Sequence, residues 1–216
     1  FYFHLANLQP QLFYFFAWRD MRLRYKQTVL GAAWAIIQPL FTMVVFTVLF
    51  GGFGKMPTDG IPPPIFYYSA LVPWTYFSGT LGYSGNSLVG NASLVTKVYF
   101  PRVALPASSV LSGLVDFGIA TIVLVGMMTY YGIRPSWRLL MWPVLVAPLA
   151  ILALGVGMLL AAVNVRYRDI KHAMPFVTQL WLFVTPIIYP ASFVPERFRL
   201  ALALNPLTGL MEGFRA

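Results

Sequence analysis

Few side chains in this chain of 216 residues can do chemistry, and their spacing excludes more than it permits. His4 and His172 are far apart and have no ligand set beside them. Cysteine is absent, which removes thiolate metal sites, disulfides and thiol nucleophiles. The acids are Asp20, Asp59, Asp116, Asp169, Glu196 and Glu212, and no two of them share an apolar stretch in a way that suits acid–base work. Neither a GxSxG nucleophile turn nor a Walker-type phosphate loop occurs. Asp116 alone lies deep within an apolar stretch, where an ionisable group is by default a functional candidate. It fits a direct part in substrate passage, a structural hydrogen bond to hydroxyls or amides on neighbouring helices, or a helix-start position nearer the interface. An ion-coupled carrier keeps more ionisable groups in its spans than this. A membrane-embedded enzyme acting on polyprenyl-linked sugars would need acids or histidines arranged at the membrane surface. The chain lacks an evident energy source of its own, which favours a pathway-forming subunit driven by a partner.

The elements that position these residues are set by a bilayer. No Arg, Lys, Asp or Glu occurs from Gln27 to Gly54, from Gly60 to Thr96, from Leu139 to Val165 or from His172 to Pro195. The stretch from Val103 to Ile133 carries only Asp116. About 20 apolar residues in a helix cross the hydrocarbon core, and each stretch reaches that length. The chain is 59% hydrophobic and 10% charged, far from the roughly 25% charged residues of soluble domains. An all-α polytopic membrane protein follows. Its spans are expected at residues 30–50, 65–89, 106–130, 139–163 and 173–189. Pro39 should kink the first, and Pro175 and Pro186 should interrupt the fifth. The second carries Ser69, Ser78, Gly79, Gly82, Ser84 and Gly85, small residues that let helices approach closely, so much of its surface should face protein.

Residues 8–29 interleave Leu12, Phe15, Phe16, Leu23 and Val29 with Arg19, Asp20, Arg22, Arg24 and Lys26, as an amphipathic helix in the membrane interface would. Residues 191–215 are interrupted by Pro195 and Pro206 and suit short re-entrant helices better than another crossing. The net charge of +9 follows topology rather than nucleic acid. With a cytoplasmic N-terminus, nine basic residues fall inside (Arg19, Arg22, Arg24, Lys26, Lys97, Arg102, Arg166, Arg168 and Lys171) and five outside (Lys55, Arg134, Arg138, Arg197 and Arg199), the positive-inside bias. No internal repeat supports an inverted-repeat transporter. The chain opens at Phe1 and stops at Ala216 just past an apolar run, as an excerpt of a longer protein would.

Two further features have more than one reading. Residues 91–102 are polar at the start and apolar at Leu94, Val95, Val98 and Phe100, which suits a short amphipathic helix. Its apolar side could bury against a cytoplasmic partner or against the adjacent spans. Aromatic residues crowd the span ends. An interfacial belt accounts for many of them. Trp74, Tyr76, Phe77, Trp181 and Phe183 lie further in and could instead line a passage on which sugar rings stack and slide.

Several stretches resemble ABC-2 type permeases of polysaccharide exporters, which move O-antigen, capsular polysaccharide or teichoic acid. They are Arg19-Asp20 through Arg24-Tyr25-Lys26-Gln27-Thr28-Val29-Leu30-Gly31, Trp34, Gln38-Pro39, Pro73-Trp74, Asn86-Ser87-Leu88-Val89, Lys97 through Arg102, Asn164 through Asp169, Thr185-Pro186-Ile187-Ile188-Tyr189 and Asn205-Pro206. The resemblance covers nearly the whole chain in order. It implies a bacterial inner-membrane homodimer of six-span permeases, the sixth span lying beyond Ala216, with two ATP-binding cassette subunits. ATP and Mg would then bind the partner, and no cofactor would bind this chain. It further implies a coupling helix that docks on the ATPase, with Asn91, Leu94, Lys97, Tyr99 and Arg102. Arg166, Arg168 and Asp169 would belong to a cytoplasmic mouth. A lipid-linked glycan would bring its pyrophosphate to Arg19, Arg22, Arg24 and Lys26 and pass Trp74, Tyr76, Phe77, Asp116, Trp181 and Phe183.

Overall fold

The structure, a computed structural model, describes residues 14–22, 33–133 and 141–215. Arg24, Lys26, the rest of the expected interfacial helix and the start of the first span lie outside the described residues. All regular structure among the described residues is helical. Helix α1 covers 14–22. Helix α2, Trp34–Phe46, continues as a π-helical stretch, Thr47–Phe53, and closes at Gly54. Then follow α3 (Pro63–Gly90), α4 (Ala92–Lys97), α5 (Ala104–Tyr130), α6 (Trp142–Arg166), α7 (Ile170–Val184), α8 (Glu196–Ala203) and α9 (Pro206–Arg215). Proline 39, 73, 148 and 175 lie inside helices that run on through them. Each removes a backbone donor, which leaves the carbonyl four residues earlier without its helical partner.

Among the described residues three helices are long and apolar enough to cross a membrane: Trp34–Phe53, Ala104–Tyr130 and Trp142–Arg166. Two of the five expected spans depart from that standard, for different reasons. Helix α3 has 28 residues, ample for a crossing, but its serines, threonines, tyrosines and asparagine make it too polar to face lipid all round. Helix α7 has only 15 residues and ends at Val184, because Thr185 turns to extended backbone before Pro186. Helix α5 also ends cleanly: Gly132, at φ +71°, follows it, and Ile133 N–H reaches the Met128 carbonyl at 2.9 Å, a Schellman closure.

Helix α3 is the centre of the molecule, packed chiefly against α6 and α5 and also against α2, α7 and α9. Its buried residues run from Ile65 to Ser87 and include fully enclosed Tyr67, Tyr68 and Phe77. Two tyrosine hydroxyls are discharged onto the neighbour: Tyr68 and Tyr76 donate to the α5 carbonyls of Ala120 and Val110, each at 3.3 Å, while the buried Tyr67 hydroxyl has no hydrogen-bond partner among the described residues. Asn164 of α6 donates to the Gly85 carbonyl at 2.9 Å and to Asn86 Oδ1 at 3.2 Å. A buried polar group left unpaired would cost about 1–3 kcal/mol, so these bonds fix which faces meet.

Close approach needs glycine at two crossings. A Cβ on Gly157 would come within 2.8 Å of Ser84 Cβ, and one on Gly113 within 3.1 Å of the Tyr76 ring. Gly155, two residues earlier in α6 and so on the other side of the helix, faces open space. Gly157→Leu forces α3 and α6 apart and is expected to cost about 1–3 kcal/mol, read as a lowered melting temperature in detergent. Gly155→Leu should leave that temperature within error of the parent protein.

Candidate functional site

Chain direction alternates, so the polar connections collect at two ends. One end holds α1, α4, the start of α5 and the α6–α7 turn. The other holds the 54–62 loop, the break after α7, and α8 and α9.

At the first end, α1 docks on protein through one face. Phe16 is 5% exposed and packs against Phe100, Ala104 and Leu105, with Leu88, Leu94 and Val95 beside them. Arg19 lies over the Phe16 ring at 5.0 Å and pairs with Asp20 at 3.0 Å. Arg19 Nη2 also donates to Asn91 Oδ1 at 3.1 Å, and Ser108 donates its hydroxyl to Asp20 Oδ2 at 2.7 Å. Arg19 and Asp20 therefore tie α1 to both the start of α4 and the start of α5. Arg22 faces outward, over Trp18 at 5.3 Å, beside exposed Tyr14 and Phe15. The two basic residues that share this short helix thus have different surroundings, one bonded internally and one exposed.

The 91–102 segment resolves the question its periodicity left open. Leu94, Val95 and Phe100 turn inward onto the cluster around Phe16. Lys97, Val98, Tyr99 and Arg102 face outward, and Tyr99 is 97% exposed. Arg166, Arg168 and Asp169 are also exposed at this end, with Arg166 over the Tyr167 ring at 5.5 Å.

Within the bundle, the expected aromatic lining divides. Trp74 and Phe77 belong to the core: Trp74 is 5% exposed, and Phe77 is fully enclosed with its ring against Trp74 and edge-on to Trp181 at 5.3 Å. Their faces are occupied by protein, so neither offers a sliding surface. Half-buried Trp181 donates its indole N–H to Asn205 Oδ1 at 3.0 Å, an anchor between α7 and α9. Phe183 is exposed on α7. Tyr76 is buried but borders a cavity that Asp116 also lines.

At the second end the break after α7 is held by side chains from two other elements. Asn205 accepts from Trp181 and from Leu207 N–H at 3.2 Å, and donates to Thr185 Oγ1 at 3.0 Å. Arg215 donates to the Pro186 carbonyl at 2.6 Å and also to the Ile187 carbonyl, while its guanidinium lies 3.8 Å from the Phe66 ring centroid. Sequence reasoning passed over Arg215. The available signal was a cation closing an amphipathic run that follows a proline-broken, uncapped carbonyl ladder. Ser108 was also missed, since nothing in a run of small residues marks one serine as an acid's partner. Among the described residues no group of His, Cys, Asp and Glu could hold a metal ion.

The sequence model of the ABC-2 type transporter family matches residues 11–216. The chain belongs to the ABC-2 type transporter family. It is 33% identical over 201 residues to the O-antigen export system permease protein RfbA of Myxococcus xanthus, covering 92% of this chain and 76% of that protein. It is 27% identical over 199 residues to an RfbA of Klebsiella pneumoniae, covering 91% and 76%. It is 24% identical over 199 residues to the polysialic acid transport protein KpsM of Escherichia coli, covering 90% and 76%. In this ABC-2 transporter chain the stretches 185–189 and 205–206 meet at the second end of the bundle, and Arg19, Asp20 and Asn91 meet at the first.

Asn205→Ala removes three hydrogen bonds at once and leaves the Trp181 indole and Thr185 hydroxyl short of partners. The expected loss is about 1–3 kcal/mol, read as a lower melting temperature of the detergent-solubilised protein.

Proposed function

We propose that this chain is the permease subunit of an ATP-driven exporter that moves a lipid-linked polysaccharide, of O-antigen, capsule or teichoic-acid type, out across the bacterial inner membrane. The observation that carries this is the family match along residues 11–216, together with relatives named as O-antigen and polysialic acid transporters. The working unit is a homodimer with two ATP-binding cassette subunits, which bind ATP and Mg. Helices α3 and α7 complete five crossings with the N-terminus cytoplasmic: α3 is shielded from lipid by its neighbours, and α7 is extended by the turn at 185–189. Helices α8 and α9 form the re-entrant pair on the outer side.

Outward-facing Lys97, Tyr99 and Arg102 suit docking on an ATPase, while Asn91 and Leu94 hold the coupling segment to the permease. A push on α4 would pass through Phe100 and Asn91 to α1 and α5 together, because both helices share that cluster. Arg166, Arg168 and Asp169 sit at the same end and suit the cytoplasmic mouth. Arg22, with Arg24 and Lys26, presents positive charge at a low-dielectric boundary, where a pyrophosphate headgroup is attracted. Asp116 and Tyr76 with exposed Phe183 form the remaining candidates for contact with the passing glycan.

The reading is tested by deleting the gene in its host and following surface glycan. Loss of surface polysaccharide with lipid-linked glycan accumulating inside is expected; unchanged surface glycan would refute it. Within the complex, Tyr99→Ala combined with Lys97→Ala should lower export several-fold while the chain still inserts in the membrane at parent levels, measured by quantitative blotting. Arg22→Ala should weaken export at low substrate supply, whereas Arg19→Ala should reduce the thermal stability of the permease itself.

A further inference from the structure

After Val184 the chain leaves the helix and yet stays inside the protein. Thr185, Pro186, Ile187 and Ile188 are all buried, and none of them is helical. Irregular backbone in such a place must find donors for its carbonyls. Arg215 supplies most of them. Its Nη1 donates to the Pro186 carbonyl at 2.6 Å and to the Tyr189 carbonyl at 3.4 Å, and its Nη2 donates to the Ile187 carbonyl. One side chain at the end of α9 thus clamps three carbonyls of a segment distant from it in sequence.

Three observations show that this clamp has an alternative. Arg215 forms no salt bridge among the described residues, so only neutral acceptors and the Phe66 ring hold its charge. Its Nε is buried and has no hydrogen-bond partner there. A carboxylate stands three residues earlier on the same helix: Glu212 is exposed and takes part in no hydrogen bond or ion pair among the described residues. Residues three apart on a helix are neighbours, and helical side chains lean toward the preceding turn. Glu212 is therefore the group that the guanidinium meets on leaving the carbonyls. Asp59 also acts on the Arg215 charge, but less than Glu212 does, and its carboxylate is engaged by the Ser192 hydroxyl at 3.3 Å.

The two positions compete. Both terminal nitrogens of Arg215 are committed to carbonyls, so a bidentate pair with Glu212 requires both to let go. Such a pair matches charge with charge and keeps the cation near water. The carbonyls of 186, 187 and 189 would then be without a donor in a place that water does not reach. They regain partners only if the segment lifts from the core, where Ile187 now packs. Ile188 would be uncovered with it.

We propose that Arg215 is a two-position latch. On the carbonyls of 186–189 it keeps the break after α7 closed, and on the Glu212 carboxylate it lets that break open. The proposal concerns this chain alone and does not depend on the export reading.

The test exploits the absence of cysteine. Ile188→Cys introduces a single thiol at a site only 4% exposed, and the purified chain in nanodiscs is labelled with a bulky water-soluble maleimide. Labelling should be slow, since the thiol reacts only while the break is open. Adding Glu212→Gln removes the second position and should slow labelling a further 2- to 5-fold, roughly the worth of one such ion pair, with the melting temperature unchanged. Adding Glu212→Asp instead keeps the carboxylate and should restore a rate close to that of Ile188→Cys alone. Adding Arg215→Gln opens the latch and should speed labelling. A rate that Glu212→Gln leaves unchanged or raises would overturn the latch and leave Arg215 as a fixed brace. Should Arg215→Gln fail to fold, the Glu212 pair of variants decides alone, because Glu212 bonds to nothing in the closed state. Gene deletion reads surface glycan and not this break, so either proposal can fall while the other stands.

Discussion

Helix α3 carries a row of hydroxyls, amides and phenols through a region where water cannot reach them, and the rest of the bundle meets part of that demand, with the Tyr67, Thr80 and Ser84 hydroxyls unpartnered among the described residues. A polar group in hydrocarbon keeps its solvation only if protein supplies the partner. Tyr68 and Tyr76 find carbonyls of α5, and Gly85 and Asn86 find Asn164 of α6. Those bonds are short-range, so they require helices to come close, and closeness requires Gly113 and Gly157 where the backbones cross. With α3 enclosed, the more apolar α2, α5 and α6 are left to present their outer faces to lipid, as exposed Phe41, Ile122 and Ile151 do.

The two ends of the bundle are built on different physics. At the first, an aromatic and aliphatic cluster around Phe16 and Phe100 is overlaid by the Arg19–Asp20 pair and its bonds to Asn91 and Ser108. Helix α1, distant in sequence, is thereby held to the consecutive helices α4 and α5 in one junction. At the second, the break after α7 leaves carbonyls with no helical donors; Arg215 donates to those of Pro186 and Ile187, and Asn205 donates to the Thr185 hydroxyl. A guanidinium suits that task because its planar fork offers several donors at once and still stacks on Phe66.

These arrangements bear on function in an ordered way. On the proposed reading, an ATP-driven permease receives work at a surface and passes it on through a junction. Exposed Tyr99 and Lys97 would serve as that surface, and the cluster behind them as the junction.

The sequence alone determined the membrane class, three of the apolar helices, the breaks at Gly54 and Pro186, and the family, because length without charge and runs of motif residues are properties of the chain read in order; the interruption expected at Pro175 does not occur, since α7 runs through it. Its reading of small residues as contact surface on α3 held for Ser84 and Gly85, since close approach leaves a trace in side-chain size. Which aromatic rings are core and which are exposed was decided only by tertiary structure. Trp74 and Phe183 look alike in sequence, yet one is enclosed and the other open, because enclosure depends on which helices lie beside each. The same holds for Arg19 and Arg22: three residues apart and identical in type, they differ only because Asn91 and Asp20 stand beside one of them.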